Sequence, residues 1–259
     1  MRNLAILRNE SRIALVAFVV MILGMVCTPL FERGGDERRL LALVVVGALF
    51  VTAVASMART HGLRTILAAG TILVIGLLIE VIGSSTGFPF GEYDYTGALV
   101  PRIFEVPVIV SFAWAGITLT VHGAFYHLRL GNEWPSLIVR VVLMALAITA
   151  WDLFLDPQMV AEGYWEWEPA TPAFRGIPLV NYLGWLLTAV ITSTCAVLIC
   201  RPVQQPVSWL PRLTYTTLAG LSTVGFLVFF DDFTVAVVGG VVMGSFAVLS
   251  LVSAKRPAE

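Results

Sequence analysis

The sequence predicts an all-α protein: a polytopic transmembrane helix bundle of about eight spans, forming a single integral membrane domain over residues 1–259. Three observations predict it. The chain is 58% hydrophobic and only 13% charged, with a mean hydropathy of +0.88, whereas soluble domains carry about 25% charged residues. Apolar runs of the roughly 20 residues that cross a bilayer recur along its length. Its basic and acidic residues fall on opposite sides of those runs.

In order, the runs are 13–31, 40–58, 65–83, 106–126, 136–155, 178–200, 213–230 and 233–252. The first follows Arg2, Arg8 and Arg12 as the core of a signal peptide would. It is longer than such a core and no A-x-A site follows, so it reads as a retained span. Only Asp231 and Asp232 divide the last two runs. Two adjacent acids at mid-membrane would be very unfavourable, which predicts a tight hairpin there rather than one long helix.

With eight spans, one side of the bundle holds Arg2, Arg8, Arg12, Arg59, Arg64, Arg129, Arg140, Arg201, Arg212, Lys255 and Arg256, eleven of the sixteen basic residues. The positive-inside rule makes that side, with both termini, cytoplasmic in a multi-pass cell-membrane protein. Fourteen of the seventeen acids lie at the other face, among them Glu32, Asp36, Glu37, Glu92, Glu162, Glu168, Asp231 and Asp232. Many of these simply suit loops free of the basic-residue rule. Glu80 and Asp152 do not, because each sits inside an apolar span about one turn, or roughly 5 Å, below the interface. An ionisable group at that depth is a functional candidate.

Two stretches resemble each other. Glu80 and Gly91 are eleven residues apart, as are Asp152 and Gly163. An aromatic-acid-aromatic triplet follows each glycine, Tyr93-Asp94-Tyr95 in one case and Trp165-Glu166-Trp167 in the other. A proline then opens the next span, Pro107 or Pro178, a position that suits proline. An offset of 72 residues covers two spans, so spans 3–4 and 5–6 read as parallel repeats about an axis along the membrane normal. Such repeats would gather both loops and both intramembrane acids around one cavity.

Several chemistries are excluded. The net charge of −1 gives no general attraction to nucleic acid. No HExxH, Walker A or GxGxxG phosphate loop is present. Cys27, Cys195 and Cys200 lie in apolar runs without metal-ligand spacing and read as packing residues. His61, His122 and His127 lie at the basic side and read as interfacial or core residues. The only lysine, Lys255, is terminal, so no intramembrane Schiff base is available. The active-face acids are expected to have only Arg102 and Arg175 nearby, too few cations for a polyprenyl diphosphate.

What carboxyls and aromatics do well is protonate an alkene. A carboxylic acid kept neutral by apolar surroundings can pass its proton to a carbon–carbon double bond. Aromatic faces stabilise the cation that forms, and a second carboxylate can deprotonate incoming water. No metal or redox cofactor is required. An apolar polyene would arrive from the membrane lipid. Asp152 and Asp156 are four apart, so a helix stacks them on one face. Pro157 is expected to end that helix.

The segments Thr86-Gly87-Phe88-Pro89-Phe90-Gly91-Glu92-Tyr93-Asp94-Tyr95, Trp151-Asp152-Leu153-Phe154-Leu155-Asp156-Pro157 and Gly176-Ile177-Pro178-Leu179-Val180-Asn181-Tyr182-Leu183-Gly184-Trp185 resemble the CruF-type carotenoid hydratases. That family includes the bisanhydrobacterioruberin hydratases and the γ-carotene 1'-hydratases. The resemblance covers about residues 75–200 in its strong motifs, and the flanking spans match in hydropathy and order. It implies carotenoid biosynthesis: cofactor-free addition of water to the terminal double bond of an acyclic carotenoid end, of C50 bacterioruberin or C40 γ-carotene or lycopene type, giving a tertiary alcohol. Association with other enzymes of carotenoid synthesis is a corresponding expectation.

The resemblance brings no catalytic assignment, so roles follow from position. Asp152, the most deeply placed carboxyl by sequence, is the expected general acid and Glu80, its repeat mate, the expected base. Asp94, Asp156 and Glu105 are further candidates. Tyr93, Tyr95, Trp165, Trp167 and Trp185 would line the end-group pocket, and Asn181 would orient water. Each aromatic alone would also suit the interfacial belt; their clustering with acids favours the pocket. Two other functions use the same residues. A membrane carotenoid cyclase would form the same cation and lose a proton on ring closure. A proton-coupled transporter would use Glu80 and Asp152 as relay sites.

Overall fold

The computed structural model describes residues 10–126, 128, 130, 133–169, 172–201 and 208–253. Arg2, Arg8, His127, Arg129, Lys255 and Arg256 lie outside the described residues. Among the described residues eight α-helices follow in order: α1 (Arg12–Cys27), α2 (Asp36–His61), α3 (Leu63–Thr86), α4 (Val108–Ala124), α5 (Trp134–Ala161), α6 (Leu179–Ile199), α7 (Leu210–Val228) and α8 (Phe233–Ser253). Six of them are long and apolar enough to cross a membrane. Of the remaining two, α4 is apolar but only 17 residues long and is the most enclosed helix, with every residue from Ala113 to Ala124 buried. Large side chains such as Val16, Ile66, Leu78, Ile138 and Val241 stay exposed on the outside. Such a surface suits lipid, and helices satisfy their own backbone groups there. The chain is a multi-pass membrane protein.

Helix ends follow local chemistry. Ser11 caps α1 by accepting from the Ala14 amide at 3.5 Å. Asp36 and Glu37 open α2, and Arg59 and His61 close it, which complements the helix dipole. Gly87, in the left-handed region at φ +75°, ends α3. The acidic hairpin expected between the last two runs is present. Asp231 takes a positive φ of 55°, and Asp232 Oδ1 accepts from the Val235 amide at 3.0 Å and from Arg175 Nη2 at 2.7 Å.

Pro157 does not end its helix. Helix α5 runs on to Ala161, although proline there removes one backbone donor and crowds the preceding turn. The burial of Phe154, Asp156 and Pro157 holds the last turn in place. Arg140 and Arg212 also differ from expectation: they are buried in α5 and α7, not displayed in loops. Arg140 donates to the carbonyls of Phe125 (2.8 Å) and Leu128 (3.0 Å), and Arg212 Nε to Ala124 (3.3 Å). They satisfy the carbonyl end of α4, which stops inside the protein. His61 and His122 are buried at that same end, packed against Tyr126.

At the opposite end the two repeat loops form a cap. Strand β1 (Tyr93–Tyr95) pairs antiparallel with β4 (Trp165–Trp167), with Asp94 opposite Glu166 and each tyrosine opposite a tryptophan. Short hairpins follow each: β2 (Arg102–Ile103) with β3 (Val106–Pro107), and β5 (Ala173–Phe174) with β6 (Ile177–Pro178). The register has twofold symmetry about the Asp94–Glu166 pair. The Thr96 amide donates to Tyr164 O at 3.1 Å, and its mate 72 positions on, the Glu168 amide, donates to Glu92 O at 3.0 Å. Beyond the strands the offset falls to 71, so Val108 N donates to Pro101 O (2.9 Å) as Leu179 N does to Pro172 O (3.0 Å). Loop 168–172 is one residue shorter than loop 96–101.

The cap is held by close backbone approach. A methyl group added at Gly184 in α6 would stand 2.7 Å from Phe90 Cδ1 and 2.7 Å from the Pro89 carbonyl. Overpacking of this kind costs about 1–3 kcal/mol. The Gly184→Ala variant should therefore unfold at a lower temperature in detergent than wild type; an unchanged midpoint would show that the cap is free to move away.

Candidate active site

Beneath the cap lies a hollow of about 320 Å³. Most of its wall is apolar, from residues such as Met25, Val45, Leu155, Leu218 and Phe226 of α1, α2, α5 and α7. Val26 of α1 and Val224 of α7, both about half-exposed, also line it. A residue exposed on the flank of a membrane-spanning helix meets lipid.

The polar part of the hollow lies directly under the strands. A strand turns successive side chains to opposite faces, so Tyr93, Tyr95, Trp165 and Trp167 face the hollow while Asp94 and Glu166 are exposed outside. Glu80, buried in α3, meets both phenols: Tyr93 Oη donates to its Oε2 at 2.7 Å and Tyr95 Oη at 2.8 Å. Trp114 Nε1 donates to Oε1 at 2.8 Å. Three donors thus hold one carboxyl. Burial, and then the facing Glu80 carboxylate, push both phenols far above the ordinary tyrosine range, so they remain donors at any physiological pH.

Asp152 and Asp156 stack one turn apart on α5, as their spacing predicts, and meet a single amide. Asn181 Nδ2 donates to Asp152 Oδ2 at 3.0 Å and also to Asp156 Oδ2. Trp165 Nε1 donates to Asp156 Oδ1 at 3.2 Å. Asp156 lines the hollow; Asp152, fully buried, lies behind it, with Oδ1 unpartnered. A proton on either carboxyl would supply the hydrogen bond that this buried oxygen lacks.

Aromatic rings enclose the acids. Tyr93 packs on Trp167 with centroids 4.9 Å apart, and Tyr95 meets Trp165 edge-on at 5.8 Å. Trp114 and Trp185 stack at 4.2 Å, and Trp151 meets Trp185 edge-on at 6.2 Å. Of the residues expected at the site, Glu80, Asp156, Tyr93, Tyr95, Trp165, Trp167, Asn181 and Trp185 share the wall of this hollow. Asp94 does not face it. Glu105 sits at a hairpin tip with positive φ, exposed and paired with Arg102 at 2.7 Å.

Sequence reasoning missed Trp114 and Trp151, which look like ordinary core residues in apolar runs. The repeat could have found Trp114, because it lies 71 positions before Trp185. It also missed Arg38, buried in α2 and ion-paired with Glu162 in the wall of the hollow.

Comparison with known proteins bears on this arrangement. The family described as carotenoid biosynthesis protein matches residues 39–247, which takes in α3 to α7 and the acids and aromatic rings of the site, but not Arg38 or the lining residues of α1. The chain belongs to that family. A separate relative, the bisanhydrobacterioruberin hydratase of Haloarcula japonica, is 37% identical over 111 residues, 42% of this chain and 37% of the relative's length. The chain therefore aligns with little more than a third of that relative. No solved structure matches the chain.

Proposed function

We propose that this carotenoid biosynthesis protein is a hydratase that adds water to the terminal double bond of an acyclic carotenoid end. One observation carries the reading: a greasy hollow, open to lipid, ends on a carboxyl pair and a triply hydrogen-bonded carboxyl inside a shell of indole and phenol rings. The similarity to a bisanhydrobacterioruberin hydratase supports the reaction class. Both C50 and C40 polyenes are candidate substrates.

In this scheme the end group enters sideways and stops under the cap. The Asp152–Asp156 pair holds one proton, and Asp156, its member on the hollow, delivers it to the less substituted carbon. The electron pair of the double bond forms the new C–H bond and leaves a tertiary cation beside the rings of Tyr95, Trp165 and Trp185. Water attacks that carbon. Its spare proton passes to Glu80, which Tyr93, Tyr95 and Trp114 hold in place. The net change is addition of one water, and proton exchange with solvent resets the acids. Both termini are taken as cytoplasmic, which puts the cap at the outer face of the membrane.

Purified protein in detergent, incubated with C50 and C40 acyclic polyenes, should give products heavier by 18 mass units for each end hydrated. A product of unchanged mass with a new ring would identify a cyclase instead. Unchanged pigment with folded protein would overturn the reading.

A further inference from the structure

An apolar hollow that takes a polyene from lipid has no route for water along the substrate itself. Water has to come from the capped face. Besides Glu80, Asp156 and the groups that bond them, the wall of the hollow carries a polar stretch made of Gln158 on the last turn of α5, Glu162 just after it and Arg38 of α2. Arg38 and Glu162 form an ion pair, both buried. Arg38 Nε also donates to Phe31 O at 2.9 Å, and the Gly34 amide donates to Glu162 Oε2 at 3.4 Å. The pair thus ties the α1–α2 loop, through Phe31 and Gly34, to the end of the helix that carries Asp156. A buried ion pair is a poor way to gain stability, because desolvation offsets most of its attraction. Polar groups in a cavity wall, in contrast, give water the partners it needs there.

We infer that Arg38, Glu162 and Gln158 form a water inlet to the Asp156 side of the hollow, and that this inlet makes the outcome hydration rather than proton loss. The inference rests on the hydratase reading. Without the inlet the cation would still form but would meet no water. It would then lose a proton from an adjacent methyl or methylene group to Glu80, and the electrons of that C–H bond would restore an alkene of unchanged mass. In heavy water the cycle would leave deuterium on the recovered polyene. These are positioning residues, and the split between capture and loss is a readout that a merely structural role would not move.

The test compares wild type, the double variant Arg38→Met/Glu162→Leu and the single variant Gln158→Leu, all equilibrated in heavy water with an acyclic polyene. The double variant removes both charges together, which folded proteins often tolerate; Gln158, only partly buried, offers a second route should the double variant not fold. Each folded variant should lose at least tenfold in hydrate formed while continuing to place deuterium on recovered polyene. Wild-type rates of hydration in either folded variant would overturn its part in the inlet, and in both would overturn the inference alone. Loss of both hydrate and deuterium in the variants would also overturn it, since the residues would then serve cation formation. Wild-type protein giving neither hydrate nor deuterated polyene would remove the hydratase reading, and the inlet with it.

Discussion

Asp156→Asn should lower the rate of hydration at least a hundredfold and leave the protein folded. Positioned acids contribute about 10²- to 10⁴-fold to proton-transfer steps, and Asp156 is the member of its pair that lines the hollow. Asparagine keeps the shape of the side chain, and its oxygen can still accept from Trp165 Nε1, which now lies 3.2 Å from Asp156 Oδ1. What it cannot do is give up a proton to carbon. The Asp152→Asn variant is the informative partner. Asp152 lies behind Asp156 and reaches the hollow through it and through Asn181, so its loss should be smaller than that of Asp156. Product formation is followed by pigment chromatography at equal amounts of folded protein. Full conversion by Asp156→Asn would mean that the proton comes from elsewhere.

Glu80→Gln should cost activity on a similar scale for a different reason. Glu80 accepts three hydrogen bonds, and an amide has only one acceptor oxygen. If the glutamine oxygen stays on Trp114, its NH₂ faces two phenols, which can turn their hydroxyls to accept. The fold should therefore survive, at a cost of about 1–3 kcal/mol for the disturbed buried bonds. In the proposed scheme the group that takes the proton from water is lost. A hundredfold or greater fall in product, with a modest drop in unfolding temperature, is the expected outcome. Retained conversion with the same drop in stability would show that Glu80 serves only to hold the cap.

Much of this was legible in the chain. Hydropathy placed all eight helices, because bilayer length and lipid exclusion leave little choice of structure. The aromatic-acid-aromatic repeat pointed to two loops meeting at one place. Other features depend on contacts that periodicity does not carry. The two-residue rhythm of a strand turns Asp94 outward, but nothing in the residues alone says that β1 and β4 form a strand pair. Glu105 looked like one more acid near a span until the hairpin put it at an exposed tip. Asp152 and Asp156 share a helix face, and only the packing of α6, which brings Asn181 and Trp185 against them, decides which one meets the hollow. Glu162 read as a loop acid and Arg38 went unnoticed, because their pairing spans 124 positions.

The seam between the two cap strands governs where this protein can change length. A strand shifted by a single position presents the opposite set of side chains to each face. One residue inserted within 93–95 or 165–167 would thus swing the rings into water and bring a carboxylate over the hollow. Loops 96–101 and 168–172 already differ by one residue, yet the hairpin bonds after them match. A change in length is therefore tolerated after each triplet, while the triplets themselves keep a fixed count.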